Sequence, residues 1–154
     1  MTQRLNYQAI AGAGMRAFGG VHQYVATCGL PRSLVDLVYL RVSQINGCAY
    51  CISMHTRDLL DAGVGTARLM MLPVWCEAEG LFSPQEQAAL QWAESVTGVS
   101  ETQIPDADFS AVSAQFSEKE VVDLTIAIGL MNAYNRLAIG FRQRPLTSEP
   151  HPAA

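Results

Sequence analysis

Apolar residues recur along this chain at helical spacing, and no segment shows the alternation of a strand. The clearest stripe is Leu34, Leu37, Val38, Val42 and Ile45, which predicts a helix beginning near Ser33. Before it, residues 6–28 read as a helix weakened by Gly12, Gly14 and Gly19-Gly20 and closed by Gly29-Leu30-Pro31. Asn46-Gly47 breaks the chain, and a third helix follows over 48–62 with Gly63 as its stop. Thr66 is placed to cap a fourth, carrying Leu69, Leu72, Val74 and Trp75, which Pro73 bends or divides. Ser83-Pro84-Gln85-Glu86 combines an N-cap serine, a first-turn proline and a capping-box glutamate, so a helix is expected to about residue 97.

Residues 98–108, polar and containing Pro105, read as a connecting loop, and 108–116 as a short helix. Ser117-Glu118-Lys119-Glu120 is a second capping box and launches a long apolar helix to about residue 141. Its apolar stretch could span a bilayer by length, but Asp123, Asn132, Asn135 and Arg136 argue for burial in protein. Asn132, Asn135 and Arg136 are read as interhelix or intersubunit hydrogen-bonding groups, and Arg41, on the apolar stripe of its helix, as a buried or interface ion-pair partner. Residues 145–154, with Pro150 and Pro152, read as a frayed tail. The expectation is an all-α bundle of about six or seven helices forming one domain over 1–154. A last helix that is apolar on every side requires cover on every side, some of it from another subunit.

Composition sharpens this picture. Hydrophobic residues make up 49% and charged residues 16% of the 154, with a mean hydropathy of +0.13. That surplus of apolar surface favours a homo-oligomer. The net charge of −4 and the absence of a Lys/Arg cluster exclude a dedicated nucleic-acid binder. The first residues open no apolar targeting segment, so a cytoplasmic protein is expected, with no membrane partner. In a reducing compartment, four cysteines are catalytic, metal-binding or core residues rather than structural disulfides.

Two of them carry the chemistry. At about 3.6 residues per turn, Cys51 lies one turn after Cys48 and is rotated back by about 60°, while His55 lies two turns on, about 20° from Cys48. Helical winding alone thus brings two thiols and an imidazole onto one face, and it turns Tyr50 to the other side. A free thiol with a pKa of about 8.5 is mostly protonated at neutral pH, and the thiolate is the nucleophile. A helix N-terminus, a second thiol and a nearby histidine all favour the thiolate.

Attack on a peroxide oxygen would give a sulfenic acid, the neighbouring thiol would condense with it to a disulfide, and a dithiol would reset the pair. His55 is the candidate base. Zinc is the rival use of CxxC plus His. Three ligands from one helix face converge poorly on a tetrahedral ion, however, and no second CxxC supplies the rest, so no metal is expected. The bland alternative is that the sulfurs simply pack in the core. Cys28 and Cys76 are read as buried apolar residues, Met54, Met70, Met71 and Met131 as core filler, His22 as structural or exposed, and His151 as part of the tail.

The stretch from Asp36 through Arg41, Asn46-Gly47-Cys48-Ala49-Tyr50-Cys51 to His55 resembles the core motif of the alkylhydroperoxidase AhpD-like branch of the carboxymuconolactone decarboxylase superfamily. That pattern is an acidic residue, CxxC, and a histidine four positions after the second cysteine. Further landmarks are Gly63, residues 69–75, residues 82–94, and 123–136 with Asn132, Asn135 and Arg136, so the resemblance covers about 5–142. It implies an all-α fold that assembles as a dimer, trimer or hexamer. It also implies thiol-dependent reduction of hydrogen peroxide or organic hydroperoxides by a dithiol or protein reductant, with no cofactor. By the same resemblance Cys51 is the peroxidatic cysteine, Cys48 the resolving one, and His55 part of a proton relay with Asp36. Position on the helix alone would have chosen Cys48, nearer the N-terminus, as the nucleophile.

Two positions depart from the pattern. The acidic residue is usually glutamate, one methylene longer than Asp36, and the branch's namesake has histidine where this chain has Tyr50. These departures motivate a general thiol–disulfide oxidoreductase as the alternative, and a non-catalytic redox-sensing oligomerisation module as the third reading. The decarboxylase branch lacks the CxxC pair, so lactone chemistry is not expected.

Overall fold

A computed structural model describes residues 2–146. The rest of the expected tail, His151 included, lies outside the described residues. Nine α-helices and no strand are present among the described residues: α1 (Tyr7–Ile10), α2 (Gly12–Thr27), α3 (Arg32–Asn46), α4 (Ala49–Asp61), α5 (Thr66–Met71), α6 (Pro84–Thr97), α7 (Val99–Thr102), α8 (Asp106–Ser113) and α9 (Glu118–Gly140). A 3₁₀ segment, Leu72–Glu77, follows α5. The all-α expectation holds, and the helix count exceeds the expected six or seven because short elements add to it.

Tertiary contacts explain the additions. The helix expected over 6–28 is interrupted at Ala11, whose ψ of 43° is non-helical. Asn6 caps the one-turn α1, and Tyr7 stacks on Phe141 beyond the end of α9, with ring centroids 5.4 Å apart. The backbone N–H of Arg4 donates to the Phe141 carbonyl at 3.0 Å. The N-terminus is therefore tied to the far end of the last helix, and this pulls α1 off the axis of α2. In the loop expected over 98–108, Thr102 donates its hydroxyl to the Ser95 carbonyl at 2.7 Å and folds a single turn, α7. Pro105 then becomes the N-cap of α8, which starts at Asp106 and ends before the expected 116.

Where capping chemistry is strong, sequence and structure coincide. Ser83 and Ser117 both form complete capping boxes, with Glu86 and Glu120. Pro73 divides its segment as expected, into α5 and the 3₁₀ turn. The N-cap of α5 is Gly65 and not Thr66.

Helix α3 is the axis of the bundle and packs against α4, α6 and α9. Its residues Leu37, Val38, Tyr39, Leu40 and Val42 are fully buried. Arg41, also on α3, donates to Glu94 at 2.8 Å, and Glu94 accepts from Trp75 at 2.7 Å, which links α3, the 3₁₀ turn and α6. Asn135 of α9 is wholly buried; it accepts from Asn46 at 2.9 Å and donates to Ser43 at 3.1 Å. Asn132 also bonds across helices, to Asn46 at 3.0 Å and Thr97 at 3.1 Å, whereas Arg136 is exposed and donates to Asn132 of its own helix at 2.8 Å, so only the two asparagines make the interhelix bonds expected of them. Asp123 accepts from Tyr24 at 2.6 Å and Lys119 at 2.5 Å. Within one chain α9 is not covered on every side, since Val122 keeps 57% of its surface exposed and Ile126 36%. No helix among the described residues is long and apolar enough to cross a membrane.

Candidate active site

The α3–α4 turn sets the position of both sulfurs. Gly47 caps α3 in the left-handed conformation, with φ at 69°. A Cβ would strain that backbone. The Cys48 backbone N–H then donates to Ser43 O at 2.9 Å. This reversal makes Cys48 the N-cap of α4, its sulfur accepting the Cys51 N–H at 3.3 Å. Cys51 occupies the first turn of α4 and His55 the next. Cys48 and Cys51 are joined as a disulfide, with Cα atoms 5.4 Å apart. That separation is inside the normal range for such a bond. The expected adjacency of the two sulfurs is thus realised.

The two cysteines open onto different spaces. Cys51 and His55 line a cavity of about 280 Å³ whose walls are mainly apolar, with Tyr7, Met15, Met131 and Tyr134 among them. Cys48 lines a separate groove of about 820 Å³ with Gly47, Ile139, Arg142 and Arg144. Tyr50, expected on the other side of the helix, lines both spaces and stands between them. Burial is nearly complete, with exposures of 1% for Cys48, 2% for Cys51 and 3% for His55.

Behind His55 lies a second cavity of about 310 Å³, lined by His22, Asp36, Tyr39 and Asp58. His55 Nδ1 is 3.9 Å from Asp36 and 3.8 Å from Asp58. Both gaps are longer than a direct hydrogen bond. Among the described residues neither ring nitrogen of His55 has a hydrogen-bond partner, and the buried Tyr39 hydroxyl has none. Burial, with His22 as a second influence, lowers the His55 pKa to about 4. The imidazole is therefore neutral at neutral pH. Burial pushes the Asp36 carboxyl up, against the lowering influence of Arg32. Asp36, His55 and Asp58 also form a grouping of ligand-type side chains, with atoms all within 4.8 Å of one another. Such a set could hold a divalent cation, and the two sulfurs are not part of it.

Sequence reasoning missed Asp58, Tyr39 and His22 as neighbours of His55. Two of them carried a signal: Asp58 stands three residues after His55 on α4, and Tyr39 three after Asp36 on α3, each on the shared helical face. Met54 and Met131, read as core filler, line the Cys51 cavity, whereas Met70 is exposed. Cys76 is exposed, contrary to its reading as buried, because the 3₁₀ turn after Pro73 rotates it outward; Cys28 is half-buried.

Burial of a neutral imidazole predicts a pH-dependent stability. Between 6.5, its ordinary pKa, and about 4, the unfolded chain binds a proton at His55 that the folded chain does not. Stability contributed by this group is therefore complete above pH 6.5 and declines as the pH falls toward 4, by about 3 kcal/mol. Urea unfolding at pH 7 and pH 4.5 measures this loss, and His55→Leu is expected to remove most of the difference. An equal loss in the variant would exclude His55 as its source.

Comparison with known proteins gives a consistent placement. Residues 12–95 match the family model described as the carboxymuconolactone decarboxylase family. An uncharacterised protein of Bacillus subtilis, YdfG, is 35% identical over 144 residues, covering 94% of this chain and 97% of that one. The crystal structure of an Agrobacterium tumefaciens protein of unknown function, described as a putative antioxidant defence protein AhpD, superimposes with a TM-score of 0.91 at 35% identity, covering 96% of this chain and all of that one. Alkyl hydroperoxide reductase AhpD of Rhodopseudomonas palustris is 44% identical over a shorter stretch of 45 residues, 29% of this chain and 25% of that protein. With the CxxC pair and the fold in place, the chain belongs to the carboxymuconolactone decarboxylase family as an AhpD-like member.

Proposed function

We propose that this protein is a thiol-dependent peroxidase that reduces hydroperoxides through a Cys48–Cys51 disulfide cycle. The observation that carries the reading is a disulfide whose Cys51 shares the wall of one mainly apolar cavity with a neutral imidazole that has no hydrogen-bond partner among the described residues. Cys51 is the attacking residue, because it shares that cavity with His55 whereas Cys48 opens elsewhere.

In the reduced protein His55 accepts the Cys51 thiol proton, as a neutral base can at neutral pH. The thiolate attacks the distal peroxide oxygen and the O–O bond breaks. The alkoxide leaving group takes the proton from His55 and departs as an alcohol, leaving Cys51 as a sulfenic acid. The Cys48 sulfur displaces the hydroxyl as water, and the disulfide forms. Two electrons pass from the pair to the peroxide, and a thiol reductant returns them. Asp36 serves as a positioning residue for the His55 ring; at 3.9 Å its influence requires a bridging water or a short closure of the gap. No cofactor is needed for any step.

Assembly belongs to the same reading: a second copy covering Val122 and Ile126 would bury the exposed stripe of α9, and light scattering on the eluted protein measures it.

The test begins with protein reduced and freed of reductant. One equivalent of cumene hydroperoxide or hydrogen peroxide is expected to disappear per chain, with loss of two thiols and two mass units. A protein that exchanges rapidly with a model disulfide yet leaves peroxide untouched would overturn the proposal in favour of a general thiol–disulfide oxidoreductase.

A further inference from the structure

Charge is distributed unevenly along this chain. Residues 2–35 and 124–146 carry six arginines and no carboxylate, while 36–123 hold thirteen of the fourteen acids. The fold brings part of the basic set together beside the disulfide. Arg4 donates to the Gly140 carbonyl at 3.0 Å, which fixes it at the end of α9. Beyond that end, left-handed backbone at Arg142 (φ 55°) turns the chain back, and Leu146 N–H donates to Ser53 of α4 at 2.9 Å. Arg142 and Arg144 thus line the groove onto which Cys48 opens, and neither forms an ion pair with a described residue. No acidic residue among the described ones lines that groove. The cavity on the Cys51 side, by contrast, carries no arginine or lysine.

We infer that this groove is the entry site of the reducing thiol, that it selects a small carboxylate-bearing thiol, and that the thiol attacks the Cys48 sulfur. The inference rests on the disulfide cycle proposed above and deepens it: peroxide and reductant approach the same bond through different spaces. Two guanidinium groups with no ion-pair partner among the described residues, in a chain of net charge −4, form a local attractor for an anion. A slender molecule fits better than a folded partner, because Cys48, a lining residue of the groove, is only 1% exposed.

The step balances. The entering thiolate bonds to the Cys48 sulfur, the Cys48–Cys51 bond breaks, and Cys51 leaves as a thiolate on the first turn of α4, where the helix N-terminus favours it. A second thiolate then attacks the entering sulfur and releases Cys48, so two thiols are oxidised to one disulfide and the protein gains two electrons.

Opening of the disulfide is measured directly, without peroxide, so the result does not depend on peroxidase activity. Oxidised protein is mixed with 3-mercaptopropionate or with uncharged 2-mercaptoethanol, and each rate is expressed per thiolate. In the wild type the ratio of anionic to neutral rates is expected to favour the anion, and 0.5 M salt should narrow it. In the double variant Arg142→Glu/Arg144→Glu the ratio is expected to fall by about tenfold, with Arg142→Gln/Arg144→Gln in between. Arg57→Glu, an exposed position on α4 away from the groove, controls for overall charge.

Alkylation of the opened wild-type protein should find the mercaptopropionate adduct on Cys48 and the alkyl group on Cys51. A ratio unchanged within twofold in the Arg142/Arg144 variants, an equal fall in Arg57→Glu, or an adduct on Cys51 would each overturn the inference. Failure of peroxide turnover with this ratio intact would instead overturn only the peroxidase reading.

Discussion

Cys51→Ser is expected to lower peroxide consumption on the order of a thousandfold or more, because a serine hydroxyl cannot supply a thiolate-like nucleophile at neutral pH. Cys48→Ser is expected to behave differently. It keeps the attacking sulfur beside His55 in the Cys51 cavity, so the first equivalent of peroxide still reacts, and a sulfenic acid then accumulates because nothing displaces its hydroxyl. Dimedone labelling followed by mass spectrometry should find the adduct on Cys51 in this variant and no adduct in Cys51→Ser. The two outcomes differ because the two cysteines line different spaces. If Cys48→Ser were the variant that lost the first turnover, the roles would be reversed, in line with the position of Cys48 at the helix cap. Equal steady-state rates in the wild type and both variants would dispose of the cycle altogether.

The second large effect is structural and lies one step removed from the sulfurs. Asn135→Ala is expected to lower stability by about 3 kcal/mol, combining a buried cavity with the loss of bonds to Asn46 and Ser43. Asn135 has no exposed surface, so water cannot take over those bonds without entering the core. In a chain of this size a loss of that magnitude corresponds to a fall in Tm of roughly 6–12 °C. The change should also reach the active site. Ser43 and Asn46 form the last turn of α3, and the Ser43 carbonyl accepts the Cys48 N–H, so loosening this turn loosens the cap that holds the sulfur. A thermal melt and the rate of disulfide opening, measured on the same sample, check both parts. A stability change below about 0.5 kcal/mol, the size expected of an ordinary surface substitution, would show that the α3–α9 polar link is incidental.

Local rules read most of the helices correctly, because their signals involve residues within one turn of each other. The two Ser–Glu capping boxes, the left-handed Gly47 and Gly63, and the division at Pro73 all belong to that class. The CxxC-His face belongs to it in part: helical winding puts Cys51 and His55 on one side of α4, and Cys48 joins them as the extended N-cap residue. Misreadings arose where distant residues decide. Tyr7 leaves the axis of α2 to reach Phe141, and Thr102 folds α7 by bonding to Ser95; neither partner is within helical reach. Cys76 and Tyr50 have side chains whose exposure depends on which element packs over them, so residue type was a poor guide.

This chain's sequence by itself determined that it is helical, that two thiols and an imidazole share one helical face, and which family it resembles, because each of these depends on contacts or patterns read along the chain. Only the tertiary structure decided that the two cysteines line different spaces, that His55 is buried deeply enough to stay neutral, and that Arg142 and Arg144 line the same groove as Cys48. Those features arise where α1, α2, α3 and the end of α9 converge on α4. Desolvation and charge proximity are set by what packs around a group, and no spacing along one helix encodes that.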